Sequence, residues 1–188
     1  MRKVIAAINM TLDGFCDHTS MVADDEIHQH YTDLLRNADI AIWGRKTFEL
    51  MEYWKAVVAD PTGVKTMDDF ATAIDDISKI VYSKTLTGSD WRKTVVKREI
   101  VRDEILELKE QPGNAIVVGS PGLIVAFANL GVVDEFQLSI QPTIAGSGLH
   151  LLKDIGNKID LKLAGTKVFG CGVVTHYYES KPSAANEA

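Results

Sequence analysis

Five short stretches gather glycines, hydroxyls and cations just after apolar runs: AINMTLDG (7–14), IWGRKTFE (42–49), VYSKTL (81–86), VVGSPGL (117–123) and SIQPTIAGSG (139–148). In the second, Gly44 precedes two cations, Arg45 and Lys46, and the Thr47 hydroxyl. Two cations beside a hydroxyl suit a phosphomonoester, because hydrogen bonds to an ionised phosphate are stronger than neutral ones. Ser83 and Lys84 repeat that chemistry in VYSKTL. In VVGSPGL, Gly119 and Gly122 let the backbone approach a ligand, Pro121 fits a first helical turn, and free N–H groups at a helix start bind phosphate. An ordinary strand-to-helix turn also favours glycine and proline, and solvated surface charge explains a single cationic pair. The recurrence of this chemistry at successive strand ends favours a ligand.

The elements that must position these stretches follow from periodicity. KVIAAIN (3–9) reads as a buried strand, and Asp24–Arg36 as a helix with Ile27, Tyr31, Leu34 and Leu35 at helical spacing. Strands are predicted at 39–43, 79–83, 93–97, 115–119 and 134–142, and helices at 46–53, 101–110 and 121–130. Residues 68–76 are weakly helical, and 55–67, with Pro61 and Gly63, read as a loop. DLKLAGTKVF and VVTHYYES, separated by Gly-Cys-Gly at 170–172, read as an antiparallel hairpin. Alternating strands and helices predict an α/β fold: a mainly parallel sheet of about eight strands, helices on both faces and an antiparallel C-terminal edge. One domain is expected over residues 1–180, with 181–188 a disordered tail. On the strand at 134–142, Ser139 and Gln141 share a face and could hydrogen-bond a heterocycle, or meet water or a partner subunit.

Bulk properties narrow the function classes. A net charge of −6 and a pI near 5.3 argue against a duplex nucleic-acid binder. No run approaches the roughly 18 apolar residues of a membrane span, and Asp13 interrupts the N-terminal apolar run, so a cytoplasmic protein is expected. Cys16 and Cys171 lack the spacing of a zinc site or disulfide framework and read as small apolar fillers. His28 and His30, two apart, face different sides of a helix, so no metal site is expected.

The order and spacing of TLDG (11–14), GRKTFE (44–49), VYSKTL (81–86), VVGSPGL (117–123), GVVDEF (131–136) and QPTIAGSG (141–148) resemble the dihydrofolate-reductase-like superfamily. Within it the chain is most similar to the reductase domain of riboflavin-biosynthesis deaminase-reductases and their stand-alone relatives. The resemblance implies an NADPH site. Gly44, Arg45, Lys46 and Thr47 would meet phosphates, Ser83 and Lys84 would lie near the adenosine 2′-phosphate, and Gly119, Ser120, Gly122 and Leu123 would cradle the pyrophosphate. It also implies hydride transfer to a C=N or C=O group of a pterin-like or pyrimidine-like substrate or a small carbonyl compound, and a homodimer formed through the last strands. TLDG would belong to a loop over the nicotinamide, with Asp13 either shaping the turn or acting chemically.

Two departures bear on activity. Dihydrofolate reductases carry an acid on the first helix, and here DDEIHQHYTDLL offers Glu26, His28 or His30 according to register. The deaminase zinc signature, H-x-E with P-C-x-x-C, is absent, so a bifunctional enzyme is not expected. The alternatives to an active reductase of its own are an NADP(H)-binding module without turnover and a riboflavin-pathway reductase acting with a separate deaminase.

Overall fold

The computed structural model describes residues 1–16, 18–21 and 24–181, so the expected tail falls outside the described residues apart from Lys181. Eight strands form one sheet: β1 Lys3–Thr11, β2 Ile40–Gly44, β3 Ser78–Tyr82, β4 Thr94–Lys97, β5 Ala115–Val118, β6 Glu135–Gln141, β7 Leu161–Val168 and β8 Val174–Ser180. Their order is β4-β3-β2-β5-β1-β6-β8-β7. The pairs from β4 through β6 are parallel, whereas β8 pairs antiparallel with both β6 and β7. The predicted α/β sheet with an antiparallel C-terminal edge is the observed one.

Both faces of the central strands are covered, which is why those strands read as continuous apolar runs rather than alternating ones. Val4, Ala6 and Ile8 of β1 join a core with Ile105 of α5 (Arg102–Glu110) and Ile124 and Phe127 of α6 (Pro121–Asn129). Ile5 and Ala7 point the other way, onto Tyr31 and Leu34 of α1 (Asp25–Arg36). Farther along that second face, Ala41 and Trp43 of β2 pack with Ala73 and Ile74 of α4 (Lys65–Asp76).

The stretch read as a loop at 55–67 is shorter than expected. Residues 45–59 form two helices, α2 Arg45–Met51 and α3 Tyr53–Ala59, and the break is confined to the segment around Pro61 and Gly63. The reason is tertiary: Val57 is buried, and the Trp54 ring meets Phe70 of α4 edge-on at 4.8 Å. The weakly helical 68–76 extends back to Lys65 because the Asp68 carboxylate accepts from the N–H groups of Thr62 (2.9 Å) and Gly63 (3.1 Å), closing the turn before the helix.

Two buried lysines knit the amino-terminal edge of the sheet. Lys79 Nζ donates to the carbonyls of Asp75, Ile77 and Arg92, neutralising the C-terminal end of α4. Lys109 Nζ donates to Asp134 Oδ1 at 2.8 Å, while Asp134 Oδ2 accepts from Val4 N, tying α5 to β1 and β6. Both therefore serve the frame and lie away from the strand ends that carry the phosphate-compatible residues.

Candidate functional site

Parallel pairing brings the five stretches together. Gly44 lies in register with Tyr82, Ile42 and Ala6 both with Val118, and Thr11 with Gln141, so TLDG, GRKTFE, YSKTL, VGSPG and QPTIAGSG all leave the same edge of the sheet. In open α/β sheets this carboxyl edge is where ligands bind.

At its centre, two loops are joined by one hydrogen bond. Ser120 is the N-cap residue of α6, yet its side chain makes no cap bond to its own helix. Instead its Oγ accepts from Gly44 N, 2.8 Å away on the neighbouring strand. The helical ladder starts at Ile124 N, which donates to Ser120 O, so the amides of the first turn, at Gly122 and Leu123, are left facing the edge. Gly122 has open space where a side chain would stand. Gly119 is the opposite case: a Cβ there would lie 3.1 Å from Trp43 Nε1, so glycine permits the close passage of β5 over the indole.

The cations occupy the β2-β3-β4 side of this edge. Arg45 forms an i,i+4 pair with Glu49 at 2.7 Å, while Lys46 is exposed with no carboxylate in reach among the described residues. Thr47 is half-buried in the first turn of α2. The Ser83 hydroxyl accepts from Thr85 N and Leu86 N and so shapes its own turn, leaving Lys84 beside it exposed. Arg98, missed in the sequence reading, donates through Nη1 to Ser83 O at 3.2 Å and adds a cation beside Lys84. Its signal was present in KTVVKR, a further strand ending in cations at the same edge.

On the other side, TLDG and QPTIAGSG are bonded into one unit. The Asp13 carboxylate accepts from Thr11 Oγ1 at 2.6 Å, Gly146 N at 2.7 Å and Ala145 N at 3.1 Å. The Thr11 hydroxyl, helped by those two amides, holds its pKa down at about 2. Gly146 adopts φ 74°, a left-handed conformation that glycine reaches without a Cβ clash and that aims its N–H at Asp13. Backbone bonds from Leu12 N to Thr143 O, Cys16 N to Leu149 O and Leu151 N to Gly14 O complete the junction.

The α1 candidates are dispersed. Glu26 Oε2 accepts from Gly170 N at 2.8 Å, fastening the helix start to the β7–β8 turn. His28 sits against Trp54 and Phe70, whereas His30 meets Tyr31, Phe169 and Tyr177 on another side. Burial, reinforced by Lys167, pulls the His30 pKa below the ordinary imidazole value, and its Nε2 is buried without a partner. Ser139 is fully buried, accepts from Tyr31 OH at 3.2 Å and lies 2.7 Å from Thr175 Oγ1, so its hydrogen-bonding capacity is spent inside the fold. Gln141 Nε2 donates to Asn9 Oδ1 at 3.0 Å, which identifies Asn9 as a second residue the sequence reading passed over. Among the described residues no group of three or more His, Cys, Asp or Glu could hold a metal ion.

This arrangement has known counterparts. The chain is 33% identical over 181 residues to the Uncharacterized protein YyaP of Bacillus subtilis (strain 168), with 94% of each chain covered. A pyrimidine reductase-like protein from Corynebacterium diphtheriae superimposes with a TM-score of 0.64 at 13% identity, covering 97% of this chain and 93% of that one. The dihydrofolate reductase of Enterococcus faecalis, solved with NADP(H), gives a TM-score of 0.62 at 12% identity over 95% of this chain and 96% of that one. Those two likenesses establish the dihydrofolate-reductase-like fold. Residues 2–175 match the family described as RibD C-terminal domain, and with that match over β1 to β7 and all five strand-end loops, the chain belongs to the RibD C-terminal domain family.

Proposed function

We propose that this protein is an NADPH-dependent reductase that transfers a hydride to a C=N or C=O group of a small pterin-like or pyrimidine-like heterocycle or carbonyl compound. The observation that carries the proposal is the Ser120 hydroxyl bonded to Gly44 N rather than to its own helix, which leaves the first-turn amides of α6 open to an anion. A pyrophosphate fits there: Gly122 has open space above it, and Gly119, Ser120 and Leu123 complete the cradle. Lys46, Lys84 and Arg98, exposed and without carboxylate partners among the described residues, suit the 2′-phosphate, with Gly44, Arg45, Thr47 and Ser83 holding the loops that present them. The reduced nicotinamide would supply the hydride. The protein's part is to orient the two reactants and exclude water.

Titration with NADPH and NADH, followed by energy transfer from tryptophan, tests this reading directly, since Trp43 lies under Gly119. Tight binding selective for NADPH is expected. Absence of binding to either cofactor would remove the proposal.

A second reading, an NADP(H)-binding module without turnover, draws support from α1: the Glu26 carboxylate is engaged by Gly170 N, and His28 is set among aromatic rings. It predicts cofactor binding with no oxidation by any pterin, flavin precursor or small carbonyl. A riboflavin-pathway reductase working with a separate deaminase would instead oxidise NADPH only with a ribose-phosphate substrate. We place the protein, under the leading reading, in the cytoplasm as a homodimer. No helix among the described residues is long and apolar enough to cross a membrane.

A further inference from the structure

We infer that the substrate is an uncharged heterocycle rather than a phosphate ester, and that the side-chain amide of Asn9 is one of its hydrogen-bond donors. This inference rests on the reductase reading above.

It begins with where the cations are not. No lysine or arginine stands between Lys3 and Arg36, between Lys109 and Lys153, or between Lys167 and Lys181. Those three stretches hold β5, α6, β6, β8, the loop that leaves β1, all of β1 after Lys3 and of α1 before Arg36, and the first part of the loop that leaves β6. Arg45, Lys46, Lys84 and Arg98 all follow β2, β3 or β4. The carboxyl edge is thus divided into a cationic side, assigned above to the cofactor, and a side where β1, β5 and β6 end without Lys or Arg and Lys167 stands on the outer strand β7.

Apart from the start of α6, assigned above to the cofactor pyrophosphate, the described residues of this side keep no other means of holding a phosphate. The start of α1 is occupied by its own acids: Asp24 Oδ1 accepts from Ile27 N at 2.9 Å, and Asp25 and Glu26 follow. The pair of amides at Ala145 and Gly146 is filled by Asp13. Lys153 adjoins Asp154, whose carbonyl is tied to Asn129 at the far end of α6. From Asn9 toward β7, the first cation met in register is Lys167, stacked on the Phe169 ring at 4.5 Å. It is separated from Asn9 by Ser139 and Thr175 in register, a spacing of roughly 14 Å at three strand separations. A phosphate brought to this side would lose its hydration and meet mainly carboxylates, which is unfavourable.

What the uncharged side does offer is an oriented amide. Asn9 is half-buried at the carboxyl end of the central strand, with its Oδ1 held by Gln141. Its amide nitrogen has no partner among the described residues and so presents donors to a ring carbonyl or ring nitrogen.

The test uses full-length protein saturated with NADPH and two matched probe pairs, uridine with uridine 5′-phosphate and riboflavin with riboflavin 5′-phosphate, measured by calorimetry. In at least one pair the uncharged member should bind tenfold or more tighter than its phosphate. Asn9→Leu and the smaller change Asn9→Ser should each weaken that binding about tenfold while leaving NADPH affinity intact, which also reports that the variants are folded. Lys167→Ala should change nothing. A phosphorylated member bound as tightly as its partner or more so, no binding by any probe, or indifference to both Asn9 variants overturns the inference while leaving the reductase reading in place. Failure of NADPH itself to bind, seen in the preceding titration, removes both.

Discussion

Ser120 caps α6 by position but spends its hydroxyl on Gly44, 2.8 Å away at the end of β2. One bond thereby sets the spacing of two loops and leaves a helix start unfilled. Ser120→Ala should strand the Gly44 N–H, part-buried, and cost about 1–3 kcal/mol of stability, with a parallel loss of NADPH affinity. Chemical denaturation and cofactor titration measure the two effects, and a variant unchanged in both would show that the bond has no such role.

Lys46, Lys84 and Arg98 form the cationic side of the edge. Replacing each with alanine should lower NADPH affinity about tenfold to a hundredfold, the range expected for one charge-assisted contact of about 1.5–3 kcal/mol, and should lower NADH affinity much less. Arg45→Ala should do less, because its guanidinium is already paired with Glu49. Equal losses for the two cofactors would refute the 2′-phosphate assignment.

Asp13 has a folded-state pKa of about 2, below the ordinary aspartate value near 4, so its hydrogen bonds add stability above the unfolded value and lose it as pH falls between about 4 and 2. The stability gap between the wild type and Asp13→Asn should be constant above pH 5 and close across that acid window. A gap that persists unchanged below pH 2 would mean that ionisation of Asp13 is not what joins the two loops.

β7 is the outer strand of the sheet, and it exposes Leu163 (54%) and Val168 (69%). An open apolar edge of this kind invites pairing with another copy. Light scattering should report a dimer, and Leu163→Lys combined with Val168→Lys should dissociate it with little change in thermal stability. A monomeric wild type would contradict the expectation.

Local sequence was enough for the elements whose signals are short-ranged. The β-branched runs of β1, β2, β3 and β5, the acidic start of α1 and the Pro121 start of α6 are each written in a few neighbouring residues, and parallel topology then requires their loops to share one edge. The helix at Tyr53–Ala59 was not legible, since only contacts such as Trp54 on Phe70 separate it from a loop.

The candidate site divides in the same way. Residue type alone made candidates of Arg45, Lys46, Lys84 and the glycines of VVGSPGL, because charge and missing side chains carry their chemistry wherever they stand. Which hydroxyls remain available was decided by tertiary structure: Ser139 and Ser83 spend their hydrogen bonds inside the protein, and Ser120 spends its own on Gly44. Asn9 and Arg98 emerged only once strands distant in sequence lay side by side, since a hydrogen bond's partner is set by register across the sheet and not by neighbours along the chain.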